Sequence, residues 1–224
     1  MSTITFLTSG IFQFTASAGS GSVKIECWGA GGHGSSTGNG GSGGTYAATS
    51  SILNTGSFKV IVGTATSTDG AASSVTGSGI ILVKAAGGKQ DGTLPSVASS
   101  IGSVINLGGA GGVNSVGYAS YDGSGGGGAG GATGAGAAGS STSVVDPKLL
   151  VSFYYRDSEG ANGGSGNSSG GTGGRGAYYE SSVGPKGIRS ASPGSVPGGG
   201  GGGSYDYGLD SSAAGANGKV VITF

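Results

Sequence analysis

The chain has 224 residues, of which 57 are glycine and only 5 are proline, and its 10 basic and 10 acidic residues cancel to a net charge of zero. So little proline excludes a collagen triple helix, which needs proline as well as a strict glycine period. The basic residues are spread along the whole chain, which argues against nucleic-acid partners, and no apolar run approaches the roughly 18 residues of a membrane span. We expect one domain, 1–224, with no nucleic-acid binding and no membrane insertion.

The N-terminal part of the sequence alternates in the period-two manner of β-strands. Two short strands are predicted at 3–7 and 11–15, separated by a Ser-Gly pair. A third strand is predicted at 22–28, where the lone cysteine, Cys27, shares a face with a valine and an isoleucine; we expect its thiol to be buried and inert. Residues 1–7 lack the positive and apolar regions of a secretory signal, so we expect no export.

Three later segments are also predicted to be strands, and two more are weaker candidates: 57–62, 79–84 and 219–224, then 46–53 and 103–107. Helix signals are nearly absent because glycines interrupt almost every window long enough to form a helix. N-terminal strands within 3–28 and a C-terminal strand at 219–224 therefore bracket the chain. The predicted fold class is all-β, a β-sandwich or a jelly-roll-like arrangement.

Glycine tracts lie between these strands, at 29–45, 108–139, 160–176 and 198–203. Read in triplets from residue 31, the first tract has glycine only in the first two places, and the third place holds His33, Ser36, Asn39, Ser42 and Thr45. Period three is the repeat of the polyproline-type helix, which has about 3 residues per turn and no internal hydrogen bonds. The tracts are therefore predicted to form a bundle of polyproline-II-type (polyglycine II) helices whose backbone groups bond one another. Third-place side chains should face outward, or inward onto the β-layer where they are Ala or Val.

Segment 140–159 is the longest stretch without glycine. Asp146 and Pro147 could serve as the N-cap and the first residue of a short helix. The alternation of Val151, Phe153 and Tyr155 favours a strand instead. The sequence leaves both structures open for this segment.

No group of residues has the spacing that catalysis or metal binding requires. Residues 29–34 match G-x-G-x-x-G after a strand, but a glycine tract follows where a dinucleotide site needs a helix. The only histidine, His33, is expected to be a solvated third-place residue, and no nucleophile motif accompanies it. Asp206 and Asp210 could hold a weak calcium ion or lie in a solvated loop. We predict no enzyme activity, no cofactor and no metal.

Tyrosines are the most informative polar residues. Eight of the nine follow residue 117, in or beside segments that interrupt the glycine tracts. Tyrosine among serine and glycine is typical of evolved binding loops, and tyrosine and arginine dominate interface hot spots. The alternative is that these rings cap the edges of the glycine tracts, with the ring face buried and the hydroxyl in water. The candidate receptor-binding residues are Tyr118, Tyr121, Tyr154, Tyr155, Arg156, Tyr178, Tyr179, Tyr205 and Tyr207.

Both ends of the chain resemble a known family. The motifs that carry the resemblance are Ser9 to Thr15 as a short hairpin, Val23 to Gly32 as a strand ending in Trp-Gly-Ala-Gly-Gly, a Tyr-Ala segment at 46–48, Val-Ile-Val-Gly at 60–63, and a closing strand at 217–224. This pattern resembles the glycine-rich domain of bacteriophage tail-fibre and other virion proteins. The central tracts are similar to the polyglycine-helix adhesins at the fibre tips of T-even-like phages. Segment 140–159 departs from the simple pattern.

The resemblance implies a protein of the virion surface, made in the host cytoplasm. It implies a tail-fibre or receptor-binding role, with a host surface polysaccharide or outer-membrane protein and other virion proteins as partners, and a homotrimer as the expected assembly. A structural virion component, such as a capsid decoration or a tail joint, is the alternative. A non-viral glycine-helix protein, for example an ice binder, is a third hypothesis.

Overall fold

The computed structural model describes residues 2–16, 22–52, 56–114, 123–141, 165–179, 188–204 and 212–224. Their regular structure consists of β-strands and one short 3-10 turn, Val97–Ser99. No helix in these segments is long and apolar enough to cross a bilayer. The strands are β1 (Thr3–Phe6), β2 (Gly10–Ala16), β3 (Ser22–Trp28), β4 (Tyr46–Ile52), β5 (Gly56–Val62), β6 (Ser73–Gly77), β7 (Ile80–Ala85), β8 (Val104–Asn106), β9 (Tyr178–Tyr179), β10 (Ile188–Arg189) and β11 (Lys219–Thr223).

Two antiparallel sheets pack face to face as a sandwich. The five-stranded sheet has the order β1-β11-β3-β4-β8, and the four-stranded sheet has the order β2-β5-β6-β7. A separate two-stranded ribbon pairs β9 with β10. Because every pair is antiparallel, each sheet can bury one face and leave the other towards solvent. The all-β, sandwich prediction is therefore confirmed.

Alternation in the strand sequences places one set of side chains between the sheets. The buried core contains Phe14, Val23, Ile25, Cys27, Phe58, Val60, Val62, Val75, Val83, Val220 and Ile222. Phe14 packs against Phe58 and Phe224, with ring centroids 6.0 and 5.5 Å apart. Cys27 is fully buried, as predicted, and burial raises the pKa of its thiol. The core therefore holds the sandwich together through side chains, unlike the glycine-rich remainder of the chain.

Most predicted strands are confirmed to within one or two residues, including the weaker candidates that became β4 and β8. The prediction of an N-terminal hairpin is wrong. Strand β1 pairs with β11 and strand β2 pairs with β5, so β1 and β2 belong to different sheets. Strands β6, β9 and β10 were not predicted. The long segment that could be helix or strand, 140–159, lies outside the described residues beyond Ser141.

The strands of each sheet give way to glycine segments at matched positions. In the five-stranded sheet, one row of paired residues marks the change: Asn106, Tyr46, Trp28 and Lys219. In the four-stranded sheet, Ser73 pairs with Ala85, and the chain leaves β5 at Val62. All glycine segments that continue these strands therefore leave the sandwich at one end.

The glycine segments bond to one another through their backbones. We call these segments together the glycine network: residues 29–34, 39–45, 68–72, 86–89, 107–113, 123–131, 134–141, 165–177, 192–204 and 212–218. Within 123–131 every third N–H donates to the same neighbour, at N···O distances of 2.8 to 3.1 Å. The three sets, which begin at Gly123, Ser124 and Gly125, donate to 170–177, 38–44 and 134–140 respectively. The period of three in the sequence is thus a period of three in the hydrogen bonds.

Glycine is required where these backbones approach one another. A Cβ atom added at Gly126 would overlap the carbonyl oxygen of Gly200, and one added at Gly43 would overlap that of Gly128. The glycine hydrogens that point at these oxygens make Cα–H···O contacts, which add weakly to the N–H···O bonds. Any side chain at such positions would push two bonded segments apart.

The third-place residues of the triplets were expected to face outward unless they are Ala or Val. This prediction is wrong for two of them. In the first tract Ser36 is exposed, but Ser42 and Thr45 are fully buried. Ser42 is buried because its Oγ accepts a 2.7 Å hydrogen bond from the backbone N–H of Lys89. At Ser42 the prediction failed because a small hydroxyl can fit between segments and accept from a backbone donor there; the Thr45 hydroxyl is buried without a hydrogen-bond partner.

Candidate functional site

The glycine network ends, on the side away from the sandwich, where several tyrosine-bearing segments begin or finish. Gly123 follows segment 115–122, and its N–H donates to the carbonyl of Ala177, the residue before β9. The next N–H along, of Ser124, donates to Gly38 in the turn of the first glycine tract, at 2.8 Å. Gly123, which follows the segment bearing Tyr118 and Tyr121, is therefore hydrogen-bonded to Ala177, which precedes Tyr178 and Tyr179.

Further boundaries lie at the same end. Ser204 precedes segment 205–211; its N–H donates to Ser35 at 3.1 Å and its Oγ to the carbonyl of Ser36 at 2.8 Å. Ala213, just after that segment, accepts a bond from Gly34. We define the loop end as 35–39, Asn114, Gly123, Ser141, Ala177, Ser204 and Ala213.

Segment 142–164 also starts from the loop end. The carbonyl of Ser140 accepts from Gly125 at 3.0 Å, and Ser141 Oγ accepts from the N–H of Val113 at 3.0 Å. The chain re-enters the described structure at Ser165, which bonds to Ala137, part of the way towards the sandwich. Of the two described boundaries of this segment, Ser141 lies at the loop end and Ser165 does not.

The opposite end of the glycine network adjoins the sandwich. Gly44 donates to Gly198, and Gly130 donates to Gly44, one residue away from Thr45 and the start of β4. The tight turn that joins Gly131 to Gly134 lies at this end too. Segments such as 39–45 and 123–131 therefore connect the sandwich to the loop end.

The predicted site residues fall into two groups. Tyr178 and Tyr179 form β9, paired with Arg189 and Ile188 of β10, directly after the loop-end residue Ala177. The remaining members lie outside the described residues: Tyr118, Tyr121, Tyr154, Tyr155, Arg156, Tyr205 and Tyr207. Asp206 and Asp210, considered as calcium ligands, also lie outside them.

The G-x-G-x-x-G motif has no backbone donors left for a phosphate. The N–H groups of Gly29, Gly31 and Gly34 donate to the carbonyls of Thr45, Ala216 and Ala213. No helix follows the motif, as predicted. Its glycines serve the packing of the network.

His33 is half-buried rather than solvated. Its Nδ1–H donates to the carbonyl of Gly34 at 2.6 Å, and its backbone N–H donates to Thr68 at 2.9 Å. Among the residues described, no group of three His, Cys, Asp or Glu side chains could hold a metal ion. The geometry gives this histidine a local structural contact.

Tyr46, the tyrosine outside the predicted set, has a structural role. Its ring packs edge-on against Trp28, with centroids 5.0 Å apart, and its hydroxyl donates to Glu26 at 2.7 Å. Lys219 lies 5.0 Å from the Trp28 ring centroid, and Lys24 contacts Glu26 at 2.8 Å. Burial, followed by the bond to Glu26, raises the pKa of the Tyr46 phenol. This cluster sits where the sheet gives way to glycine; its signal in the sequence was the pair of aromatic residues flanking tract 29–45.

One ion pair joins two segments of the glycine network, 68–72 and 86–89. Lys89 Nζ lies 2.7 Å from Asp69, and the N–H of Gln90 donates to the same carboxylate at 2.9 Å. Partial burial raises the pKa of Asp69, but these donors outweigh it and hold the pKa below its ordinary value. A cleft of about 160 Å³ opens beside Lys84, Lys89 and Ser99. The Lys89 ammonium at its rim is already bonded to Asp69.

Comparison with known proteins agrees with the glycine-rich architecture. A family described as a glycine-rich domain matches residues 7–224, nearly the whole chain. No curated protein matches the chain significantly. The matched region includes ten of the strands and all of the glycine network. The chain therefore belongs to the glycine-rich domain family.

Proposed function

We propose that the glycine network is a bundle of polyglycine II-type helices and that this bundle presents binding loops. Support comes from the hydrogen bonds of segment 123–131, whose three sets of N–H groups serve three neighbours in turn. A helix with three residues per turn and outward-pointing backbone groups gives this pattern. Backbone chemical shifts measured by NMR test it: torsions near −75° and +145° are expected throughout 123–131. Torsions scattered over the allowed regions would rule the bundle out.

The protein attaches a bacteriophage virion to its host, as a tail-fibre or receptor-binding module on the virion surface. One observation carries this function: the segments bearing Tyr118, Tyr121, Tyr154, Tyr155, Arg156, Tyr205 and Tyr207 begin or end at the loop end, as does the Tyr178–Tyr179 strand. A binding surface needs its contact residues on one side of a firm support. The loop end supplies that side, and the sandwich occupies the other.

The chemistry of these segments suits a host surface polysaccharide or an outer-membrane protein. Tyrosine offers a large ring face and a hydroxyl at little entropic cost, and serine and glycine provide adaptable hydrogen bonding. The chain has no net charge, so recognition does not depend on a strong electrostatic field. The sandwich end is then available for other virion proteins.

Binding of the full chain to candidate host cells tests this function. Fluorescently labelled protein is added to intact cells and, separately, to their purified surface polysaccharide. The double variants Tyr154→Ala/Tyr155→Ala and Tyr178→Ala/Tyr179→Ala are expected to weaken binding by about 30-fold or more, because even one hot-spot tyrosine costs at least about 2 kcal/mol. Lys59→Ala, on the exposed face of the four-stranded sheet, is the control and should bind normally. Binding that no tyrosine variant changes would refute the assignment.

A structural virion component remains the second candidate, for a specific reason. Four apolar residues are exposed in the stretch that runs from β7 into the first residue of β8: Leu94, Val97, Ile101 and Val104. A capsid decoration or tail joint would bury them against a neighbouring virion protein. Imaging the intact particle separates the two functions: a distal position with a free loop end supports host attachment, and a loop end enclosed by other virion proteins supports the structural role.

A further inference from the structure

The sandwich has two open sides, where the edge strands of the two sheets lie, and a chain segment covers one of them. On one side, Lys84 of β7 exchanges two backbone hydrogen bonds of 2.8 Å with Ile101, which follows the 3-10 turn. Ser103 then donates to Ala48 at 2.9 Å, and β8 pairs with β4 in the other sheet. Residues 97–106 thus cross from one sheet to the other and cover this side.

The other side is left uncovered by the described residues. It is formed by β1, the edge of the five-stranded sheet, and by β2, the edge of the four-stranded sheet. Ile4, Leu7 and Ile11 are exposed here. Residues 2–16 contain no charged residue and no proline. Soluble proteins usually protect an edge strand with lysine, proline, a bulge or a covering segment, and in the described structure this edge has none of them.

We propose that β2 pairs antiparallel with β2 of a second copy of this chain, about a twofold axis at Gln13. The strand sequence, Gly-Ile-Phe-Gln-Phe-Thr-Ala, is nearly symmetrical about its central residue. In this register Ile11 lies opposite Thr15 of the second copy, and Phe12 lies opposite Phe14. The four-stranded sheets of the two copies then form one continuous sheet.

The residues that meet in this register suit one another. Phe12 and Phe14 lie on the core side, while Ile11, Gln13 and Thr15 face outward. Phe12 already packs against Phe6, with ring centroids 5.3 Å apart, so the pairing extends an existing aromatic cluster. Aromatic pairs and β-branched residues directly opposite each other stabilise antiparallel strands. Because the strand carries no charge, two identical copies meet without electrostatic repulsion.

This contact uses the same surface on both copies, so it closes at two chains and does not continue into a fibre. The pairing predicts a dimer, in contrast to the trimer that the family resemblance implies. It lies on the sandwich and leaves the loop end free. It also holds whether or not the loops bind a host.

Sedimentation equilibrium of the full chain tests the pairing, with three variants. Ile11→Lys/Thr15→Lys places like charges opposite each other at both symmetry-related sites and should weaken the dimer about 30-fold, since each such pair costs up to about 1 kcal/mol. Ile11→Lys/Thr15→Glu places opposite charges there and should restore most of the affinity. Ile80→Lys is the matched control, because Ile80 is as exposed as Ile11 (67% and 66%) but lies at the β6–β7 turn.

The expected result is a dimer that the like-charge variant dissociates, the opposite-charge variant restores and the control leaves intact. A monomer at all accessible concentrations would overturn the proposal, and so would a trimer. An assembly on which the like-charge variant and the Ile80 variant have the same effect would overturn it too. Circular dichroism of each variant confirms that a loss of assembly occurs in a folded chain.

Discussion

Alanine at Gly126 should destabilise the protein strongly, although it adds only one methyl group. The added Cβ would overlap the carbonyl oxygen of Gly200 and also approach Gly201. Both segments would have to separate by roughly 1 Å to restore an ordinary C···O contact of about 3.3 Å. The same segments are joined by the bond from Gly200 N–H to Gly127, now 2.9 Å long, and Gly126 itself donates to Gly174 at 2.8 Å. A shift of that size lengthens these bonds beyond useful range.

The cost follows from the bonds that are lost. A buried backbone group without a partner costs about 1–3 kcal/mol, so two orphaned bonds cost about 2–6 kcal/mol. Alanine also lowers the conformational entropy of the unfolded chain, and this effect offsets about 0.4–1 kcal/mol of the loss. The net loss of about 1–5.6 kcal/mol is a large part of the roughly 5–15 kcal/mol by which a typical domain is stable. Elsewhere, a surface alanine substitution rarely exceeds about 0.5 kcal/mol.

Urea unfolding followed by the fluorescence of Trp28, the only tryptophan, measures this loss. Gly56→Ala is the matched control, because a Cβ at Gly56 meets nothing within 4 Å. Gly134→Ala is a second control inside the network, where the Cβ would meet only the side chain of Asn167. Both controls should unfold within about 1 kcal/mol of the natural chain. Equal stability of the Gly126 and Gly56 variants would show that the segments are not held at the observed separation.

Three further substitutions test other contacts. Ser42→Ala should cost about 1–3 kcal/mol in urea unfolding, because it removes the buried hydroxyl that accepts from Lys89 N–H; an unchanged midpoint would show that the donor finds another partner. Tyr46→Phe should cost about 1–2 kcal/mol by removing the donor to Glu26, and a neutral result would contradict the bond. The lowered pKa of Asp69 stabilises the fold above its ordinary value of 3.8, and this contribution disappears as pH falls through the folded-state pKa. Because both partners are nearly half exposed, Asp69→Asn should reduce stability at neutral pH by less than about 1 kcal/mol and flatten its fall in acid; an unchanged acid profile would exclude a role for this pair.

The strands that the sequence predicted best are those whose alternation is apolar and unbroken. Strand β3 was predicted at its observed limits, because three apolar residues face the core on one side and charged residues face away. Strand β6 was missed because its inward residues are Ser73, Val75 and Gly77, only one of which is apolar. The structure explains the small residues: a Cβ at Gly77 would meet the ring of Phe58. The Phe58 ring of the neighbouring strand fills the space beside Gly77. The sequence of β6 alone does not show which side chain lies opposite it.

The backbone hydrogen bonding of the glycine tracts was predictable from the sequence, but the arrangement of the tracts was not. Their period of three correctly indicated backbone partners on three sides, as segment 123–131 has. Which segments become neighbours could not be predicted, because runs of glycine carry no side chains that distinguish one partner from another. The burial of Ser42 and Thr45 was missed for the same reason, since it depends on which segment lies opposite.

The sequence suggested which residues to consider for the candidate site but not where their segments attach. Tyrosines in the later half of the sequence marked the interrupting segments, but their attachment at a common end depends on the directions in which 29–34, 107–113, 170–177 and 199–204 run through the network. Each of these segments starts near the sandwich and finishes at the loop end. The Ser-Gly pair made an N-terminal hairpin a reasonable expectation, yet β1 and β2 pair within opposite sheets. Their Phe6 and Phe12 rings pack against each other at a tilt of 42° between the two sheets.

The glycine network is held together by backbone contacts, and this affects how far the segments attached to it can vary in sequence. In a side-chain core, a change at one residue is felt by every neighbour that packs against it. In the glycine network the contacts are N–H···O bonds and Cα–H···O approaches, which are the same for every segment and do not depend on the residues of the attached loops. The loop segments can therefore change sequence without repacking the support, provided that the glycines at their bases are retained. Freedom of sequence in the attached segments and constancy of the glycine network then follow from the same use of glycine.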